Sequence, residues 1–131
     1  MTNQTTPHVV AVCGSFRDES RTRIATHVAL ASAEEAGATT EFVDLRSYNL
    51  PSLNAVDTEI PDAEALQKTI GEADSVLLGT PNYHGSYSGS LKNALDYCDS
   101  EAFDNKPVGL LAVTERSGPA LALEHLRTVC R

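Results

Sequence analysis

Four short apolar runs divide the chain: "HVVAVCGS" (8–15), "TTEFVDL" (39–45), "DSVLLGTP" (74–81) and "KPVGLLAVT" (106–114). They are too short for buried helices, and they read as continuous rather than alternating, the pattern of strands covered on both faces. A segment with helical spacing follows each of them. In "SRTRIATHVALASAEEAG" (20–37), Ile24, Val28 and Ala31 recur on one stripe with Ala25 and Ala29 beside them; Ser20 or Thr22 is placed to cap the start, and Gly37 to stop it. "DAEALQKTIGEA" (62–73) predicts a second helix after a long connection from Arg46 to Pro61 that carries two prolines. "SLKNALDYCDS" (90–100) sets Leu91, Ala94, Leu95 and Cys98 on one face, and "PALALEHLRTVCR" (119–131) offers Leu121, Leu123, Leu126, Val129 and Cys130 with Pro119 near the first turn. Strict strand–helix alternation predicts an α/β domain, a parallel sheet with helices on both faces. The 131 residues suffice for one domain spanning 1–131.

Charge and cysteine usage narrow the partners. Eighteen acidic residues oppose ten basic ones, a formal charge of −8, and no Lys/Arg cluster is placed to neutralise successive phosphates, so a nucleic acid is not expected. The apolar runs fall far short of the roughly 20 residues a membrane span requires, and "MTNQTTPH" lacks the pattern of a signal peptide. A cytoplasmic protein is the expectation. Cys13, Cys98 and Cys130 fit neither a disulfide framework nor a zinc site, which predicts free thiols and no bound metal.

In an open parallel sheet, ligands bind beyond the C-terminal ends of the strands, where the strand order reverses. Three loops therefore carry the candidate chemistry: "GSFRDESRT", "TPNYHGSYSG" and "TERSGP". The first brings the hydroxyls of Ser15, Ser20 and Thr22, the Arg17 guanidinium and the free amides of a helix start together, a donor set suited to a phosphate monoester. The competing explanation is that Ser20 only caps a helix and Arg17 is solvated; the loop's position and the retention of Arg17, Arg21 and Arg23 in so acidic a chain favour the ligand. A dinucleotide fingerprint is absent, because Gly14 is the only glycine between the first strand and its helix. Asp44, at the end of strand two, reads as a turn former before a ribose ligand. The loop after strand three offers Asn82 and His84, the Tyr83 and Tyr87 rings, Pro81 at the strand exit, and Gly85 and Gly89 for close backbone approach, a combination suited to a flat heteroaromatic ring. A solvent-facing position suits His84 better than the role of a catalytic base, since no Ser, Cys or carboxylate is evidently arranged around it, and the tyrosines equally suit packing or a subunit contact.

With these residues in view, the chain resembles the NADPH-dependent FMN reductase family of flavodoxin-like proteins, which includes azo- and quinone-reductases. "GSFR" followed by Ser20 and Thr22 is similar to the family's G-S-x-R-x-x-S-x-N, "LGTPNYHGSYSGSLKNALD" to its G-T-P-E-Y-N-x-S-x-x-x-x-L-K-N-A-L-D, and "KPVGLLAV" leads to "ALEHLR". The resemblance implies a three-layer flavodoxin-like sandwich. It implies that Ser15, Arg17, Ser20 and Thr22 hold the FMN phosphate, and that Pro81, Asn82, Tyr83 and His84, with Gly85 and Ser86, line the ribityl chain and isoalloxazine edge. It also implies an oxidoreductase: hydride passes from NADPH or NADH to the flavin and on to a flavin, quinone, azo or similar small acceptor in a ping-pong cycle. No catalytic side chain is then expected, because the chemistry sits on the flavin.

Thr22, Asn82 and His84 replace the family's usual Asn, Glu and Asn while keeping hydrogen bonding. The fourth loop departs more: "TERSGP" puts Glu115 and Arg116 where relatives carry a glycine-rich turn, beside the flavin ring. The resembled family continues to a fifth strand and helix, so the expected sheet order is 2-1-3-4 with the fifth strand missing and strand four as an open edge. That edge, or the stripe on "SLKNALDYC", would serve a homodimer or higher homo-oligomer. The alternative is a shortened FMN-binding or non-catalytic protein acting as electron carrier or partner subunit.

Overall fold

Six-residue strands at the two ends of the first half of the chain already set the frame: β1 (His8–Cys13) and β2 (Thr39–Asp44) run parallel, with α1 (Arg21–Glu35) crossing between them. A 3-10 turn (Leu45–Ser47) ends β2, and α2 (Pro61–Glu72), β3 (Ser75–Pro81), α3 (Gly89–Asp96), β4 (Val108–Val113) and α4 (Ala120–Val129) follow. This computed structural model describes residues 5–53, 59–116 and 118–131. Residues 1–4 of the N-terminal segment, 54–58 of the long connection and Ser117 of the fourth loop lie outside the described residues.

All four strands are parallel, in the order β2-β1-β3-β4, as the sequence predicts. β1 and β3 are the central pair, so the reversal of strand order along the chain falls between them and the cleft opens above their C-terminal ends. One sheet face carries Val10, Val12, Val43, Val76 and Leu78, which pack against Leu66 and Ile70 of α2, Leu91 and Leu95 of α3, and Leu126 of α4. Side chains alternate across a strand, so Gly79 points to the other face, where α1 lies.

Helix α1 corrects one expectation. Ile24 and Val28 are 64% and 61% exposed, and the helix instead buries Thr22, Thr26 and Leu30. The cause is Gly79: a Cβ there would stand 2.5 Å from the Thr26 Oγ1, so helix and sheet approach too closely for a larger pair. Thr26 tolerates burial because its hydroxyl donates to the Thr22 carbonyl at 2.7 Å and is satisfied within the helix. His27 stacks on Phe42 of β2 at a ring separation of 4.1 Å. In α4 Leu126 of the expected stripe is buried beside Ala122, and Leu123, Val129 and Cys130 are half-buried; only Leu121, 63% exposed, departs from it. The stripe on α3 holds: Leu91, Ala94 and Leu95 are buried and Cys98 is half-buried.

The space beside Gly85 and Gly89 is open, with nothing near a Cβ built at either; close approach within the chain is required at Gly14, where a Cβ would meet Ser88 Oγ at 2.6 Å and Leu91 Cβ at 2.7 Å. Every residue of β4 is at least partly exposed, Gly109 the most, and its far edge has no strand partner among the described residues.

Candidate functional site

The loop leaving β1 is shaped from both sides. Gly14 donates its amide to the Gly79 carbonyl at 2.8 Å, which binds the ends of β1 and β3 together one residue past their ladder. Ser88, the N-cap of α3, donates its hydroxyl to the Gly14 carbonyl at 2.7 Å and accepts from the Leu91 amide at 3.2 Å, while its own amide donates to Thr80 Oγ1 at 2.9 Å. Ser20 caps α1 by accepting from the Arg23 amide at 3.1 Å. Capping and ligand binding, set against each other in the sequence, are compatible here: Ser20 also lines the cleft.

Beyond β3, Tyr83 and Ser86 exchange both backbone hydrogen bonds around His84 and Gly85, whose φ values are +52° and +78°. Positive φ at both central residues makes this a type I′ turn, and that is the task of Gly85. Asn82 continues the β3–β4 pairing through its amide to the Val113 carbonyl at 2.8 Å, and its side-chain amide reaches Thr114 Oγ1 at 3.3 Å. Ser86 turns away from the cleft to pair with His125 Nδ1 of α4 at 2.8 Å.

Between these three loops lies a cleft of about 510 Å³. Nine of the residues expected from sequence line it: Ser15, Arg17, Ser20 and Thr22 at one end, Pro81, Asn82 and Tyr83 on the floor, Glu115 and Arg116 opposite. His84, Gly85 and Ser86 do not line it; the tight turn carries them past the rim. Four further residues line it, Glu19, Arg21, Val113 and Thr114; of these the sequence pointed only to Arg21, as one of the loop's retained arginines and not as a site residue. Val113 was recoverable from register, since it pairs with Pro81, and Arg21 from its place in the first turn of α1. Arg17 and Glu115, both largely exposed, face one another across the mouth at 3.9 Å.

A charged network supports the loop from below. Arg23 reaches back under it, Asp44 stands 3.8 Å from that guanidinium, and Arg46 pairs with Asp44 at 2.7 Å and with Asp18 at 3.2 Å. Hydrogen bonds from the Arg46 side chain hold the Asp44 carboxyl below the usual carboxylate range, against the opposing effect of burial. Asp44 is thus a structural counter-ion and a cap of the 3-10 turn. Cys13, next to the loop, is buried, and burial pushes its thiol up more than the Ser15 amide and the Arg23 charge lower it. No three His, Cys, Asp or Glu side chains among the described residues converge as a metal would require.

The model of the NADPH-dependent FMN reductase family matches residues 7–131. The chain belongs to that family. Among curated proteins it is 44% identical over 85 residues to an FMN-dependent NADPH-azoreductase of Staphylococcus haemolyticus (strain JCSC1435), and 43% identical over 85 residues to that of Staphylococcus aureus (strain USA300). Each alignment takes in 65% of this chain and 44% of the relative, so the chain spans under half the length of the curated relatives it matches. Among solved structures, an apo NADH:FMN oxidoreductase (EMOB) superposes with a TM-score of 0.85 at 27% identity, covering 95% of this chain and 68% of that one. An azoreductase from Bacillus anthracis str. Sterne shares the fold at a TM-score of 0.75 and 19% identity, covering 95% of this chain and 80% of that one. The four parallel strands and flanking helices of this FMN reductase family member are thus those of flavodoxin-like oxidoreductases.

Proposed function

We propose that this chain binds FMN in the cleft and works as an NAD(P)H-dependent oxidoreductase acting on a small-molecule acceptor. The observation that carries the proposal is the donor set at one end of the cleft: Ser15, Ser20 and Thr22, with Arg17 and Arg21 and the start of α1, on the same wall. These are the groups that a dianionic phosphate monoester requires, and a helix N-terminus adds favourable potential. At the other end, Asn82 Oδ1 is buried without a donor among the described residues, an acceptor suited to an imide N–H or a ribityl hydroxyl. FMN presents both.

When bound, FMN supplies the redox chemistry, taking a hydride equivalent from a reduced nicotinamide and passing electrons to the acceptor. The protein's own part is placement. Ser15 and Ser20, both nearly inaccessible to solvent, fix the phosphate end, and Arg17 is free to close over it from the rim. Pro81 and Val113, paired at the last register position of β3 and β4, line the cleft and would support a planar ring from the strand ends. Arg116 also lines the cleft, where its charge would favour negative charge on a bound ring. No acid–base pair is required. We read a ping-pong cycle from the one open cleft, which would admit nicotinamide and acceptor in turn. Quinone, azo and flavin acceptors suit this open cleft.

The reading extends to setting and assembly: a cytoplasmic enzyme working as a homodimer or larger homo-oligomer. Support for the assembly comes from the far edge of β4, which has no strand partner among the described residues.

Reconstitution with FMN should give a protein-bound flavin absorption band that NADPH bleaches under anaerobic conditions. A band that forms but does not bleach would mark an electron carrier instead, and an absent band would remove the proposal. Arg17→Ala should weaken FMN binding by about 1.5–3 kcal/mol, roughly 10- to 150-fold, because a charge-assisted contact is lost; unchanged affinity in a fluorescence titration would sink the phosphate assignment.

A further inference from the structure

Arg23 occupies the third position of α1, where a cation opposes the helix dipole, and its side chain is only 12% exposed. Helix stability does not explain it. Its guanidinium instead folds back beneath the preceding loop, where Nη2 donates to the Ser15 carbonyl at 2.8 Å and Nη1 donates to the Arg17 carbonyl at 2.7 Å and, more weakly, to the Asp18 carbonyl at 3.5 Å. Nε is buried and donates to nothing among the described residues, so the side chain is placed by the carbonyls rather than by full satisfaction of its own donors. Asp44 balances the charge, Arg46 holds Asp44, and Arg46 also grips the Asp18 side chain, so the network returns to the loop it started from. Arg23 itself does not line the cleft.

From this geometry we infer that Arg23 is a positioning residue: by collecting the carbonyls of Ser15, Arg17 and Asp18 on the far side of the loop, it leaves the loop's amides and hydroxyls to face a phosphate. The inference rests on the proposed FMN site for its ligand, but not for its structural content. A loop's amides converge on an anion only if its carbonyls are satisfied elsewhere, since each unpaired carbonyl would otherwise turn toward the same space and repel the ligand. A rigid planar fork meets three carbonyls at fixed spacing; an ammonium of equal charge does not.

Arg23→Lys keeps the charge and removes the fork, and Arg23→Gln removes both. Hydrogen–deuterium exchange on the flavin-free proteins should show faster exchange at the amides of residues 15–19 in both variants, with the middle of α1 unchanged. In fluorescence titrations both should bind FMN at least about tenfold more weakly, the scale of one charge-assisted contact, while riboflavin, which lacks the phosphate, should change by less than about twofold. A global loss of fold would weaken both flavins together and raise exchange throughout, and would overturn the assignment, as would Arg23→Lys protein with unaltered loop exchange. Should wild-type protein bind no FMN, the function proposed above falls, while the exchange result still decides whether Arg23 holds the loop.

Discussion

At the scale of single residues, the charges around the β1 loop have measurable consequences. Asp44 titrates below its ordinary value in the folded protein because Arg46 hydrogen-bonds it and Arg23 stands near. A depressed carboxylate contributes stability that is complete above its unfolded pKa of ~3.9 and is lost as pH falls through the folded value. Asp44→Asn should therefore lower the urea midpoint at neutral pH and flatten its decline below about pH 4; parallel wild-type and variant curves across that range would contradict the role. Much of the site was legible at this scale. Ser15, Arg17, Ser20 and Thr22 follow one another through the β1 loop and the first turn of α1, so adjacency in sequence already placed them together. Arg23 was noticed only as part of a basic cluster, because the contacts that define it are to backbone carbonyls, and those depend on how the loop turns.

Elements show where apolar pattern misleads. The number and order of strands and helices followed from short apolar runs and caps, and the parallel sheet followed from their alternation. The inward face of α1 did not, since hydropathy favours Ile24 and Val28 over Thr22 and Thr26, whereas fit against Gly79 requires the smaller threonines. Hydropathy counts a hydroxyl as polar even when the helix satisfies it internally. Gly79→Ala should cost ~1–3 kcal/mol by overpacking against Thr26, read as a drop in denaturation midpoint, and Gly79→Ala combined with Thr26→Ala should recover much of it. If the single variant is as stable as wild type, the close approach is not a constraint. His84, Gly85 and Ser86 fell outside the cleft for a related reason: the sequence shows turn formers without revealing which way a type I′ turn carries its side chains.

For the whole molecule, the decisive asymmetry is between the two sides of the sheet's far end. β4 has no side chain fully buried, while β1 is closed off between neighbours. An open strand edge pairs readily with another. Leu111→Lys should reduce self-association in sedimentation velocity; if the wild-type protein is already monomeric at high concentration with full flavin occupancy, the proposed oligomer fails. The rim of the cleft does not share this asymmetry. Past the ladder, the ends of β1 and β3 are tied by the Gly14–Gly79 backbone bond and the Ser88–Gly14 side-chain bond, and the ends of β3 and β4 by the Asn82–Val113 backbone bond and the Asn82–Thr114 side-chain bond. The strand ends under the cleft are therefore one rigid frame, extended by the β3–β4 register up to Pro81↔Val113. In the proposed enzyme, a ring would meet a preformed slot, and differences in acceptor size would be taken up at its open mouth rather than by movement of the strands.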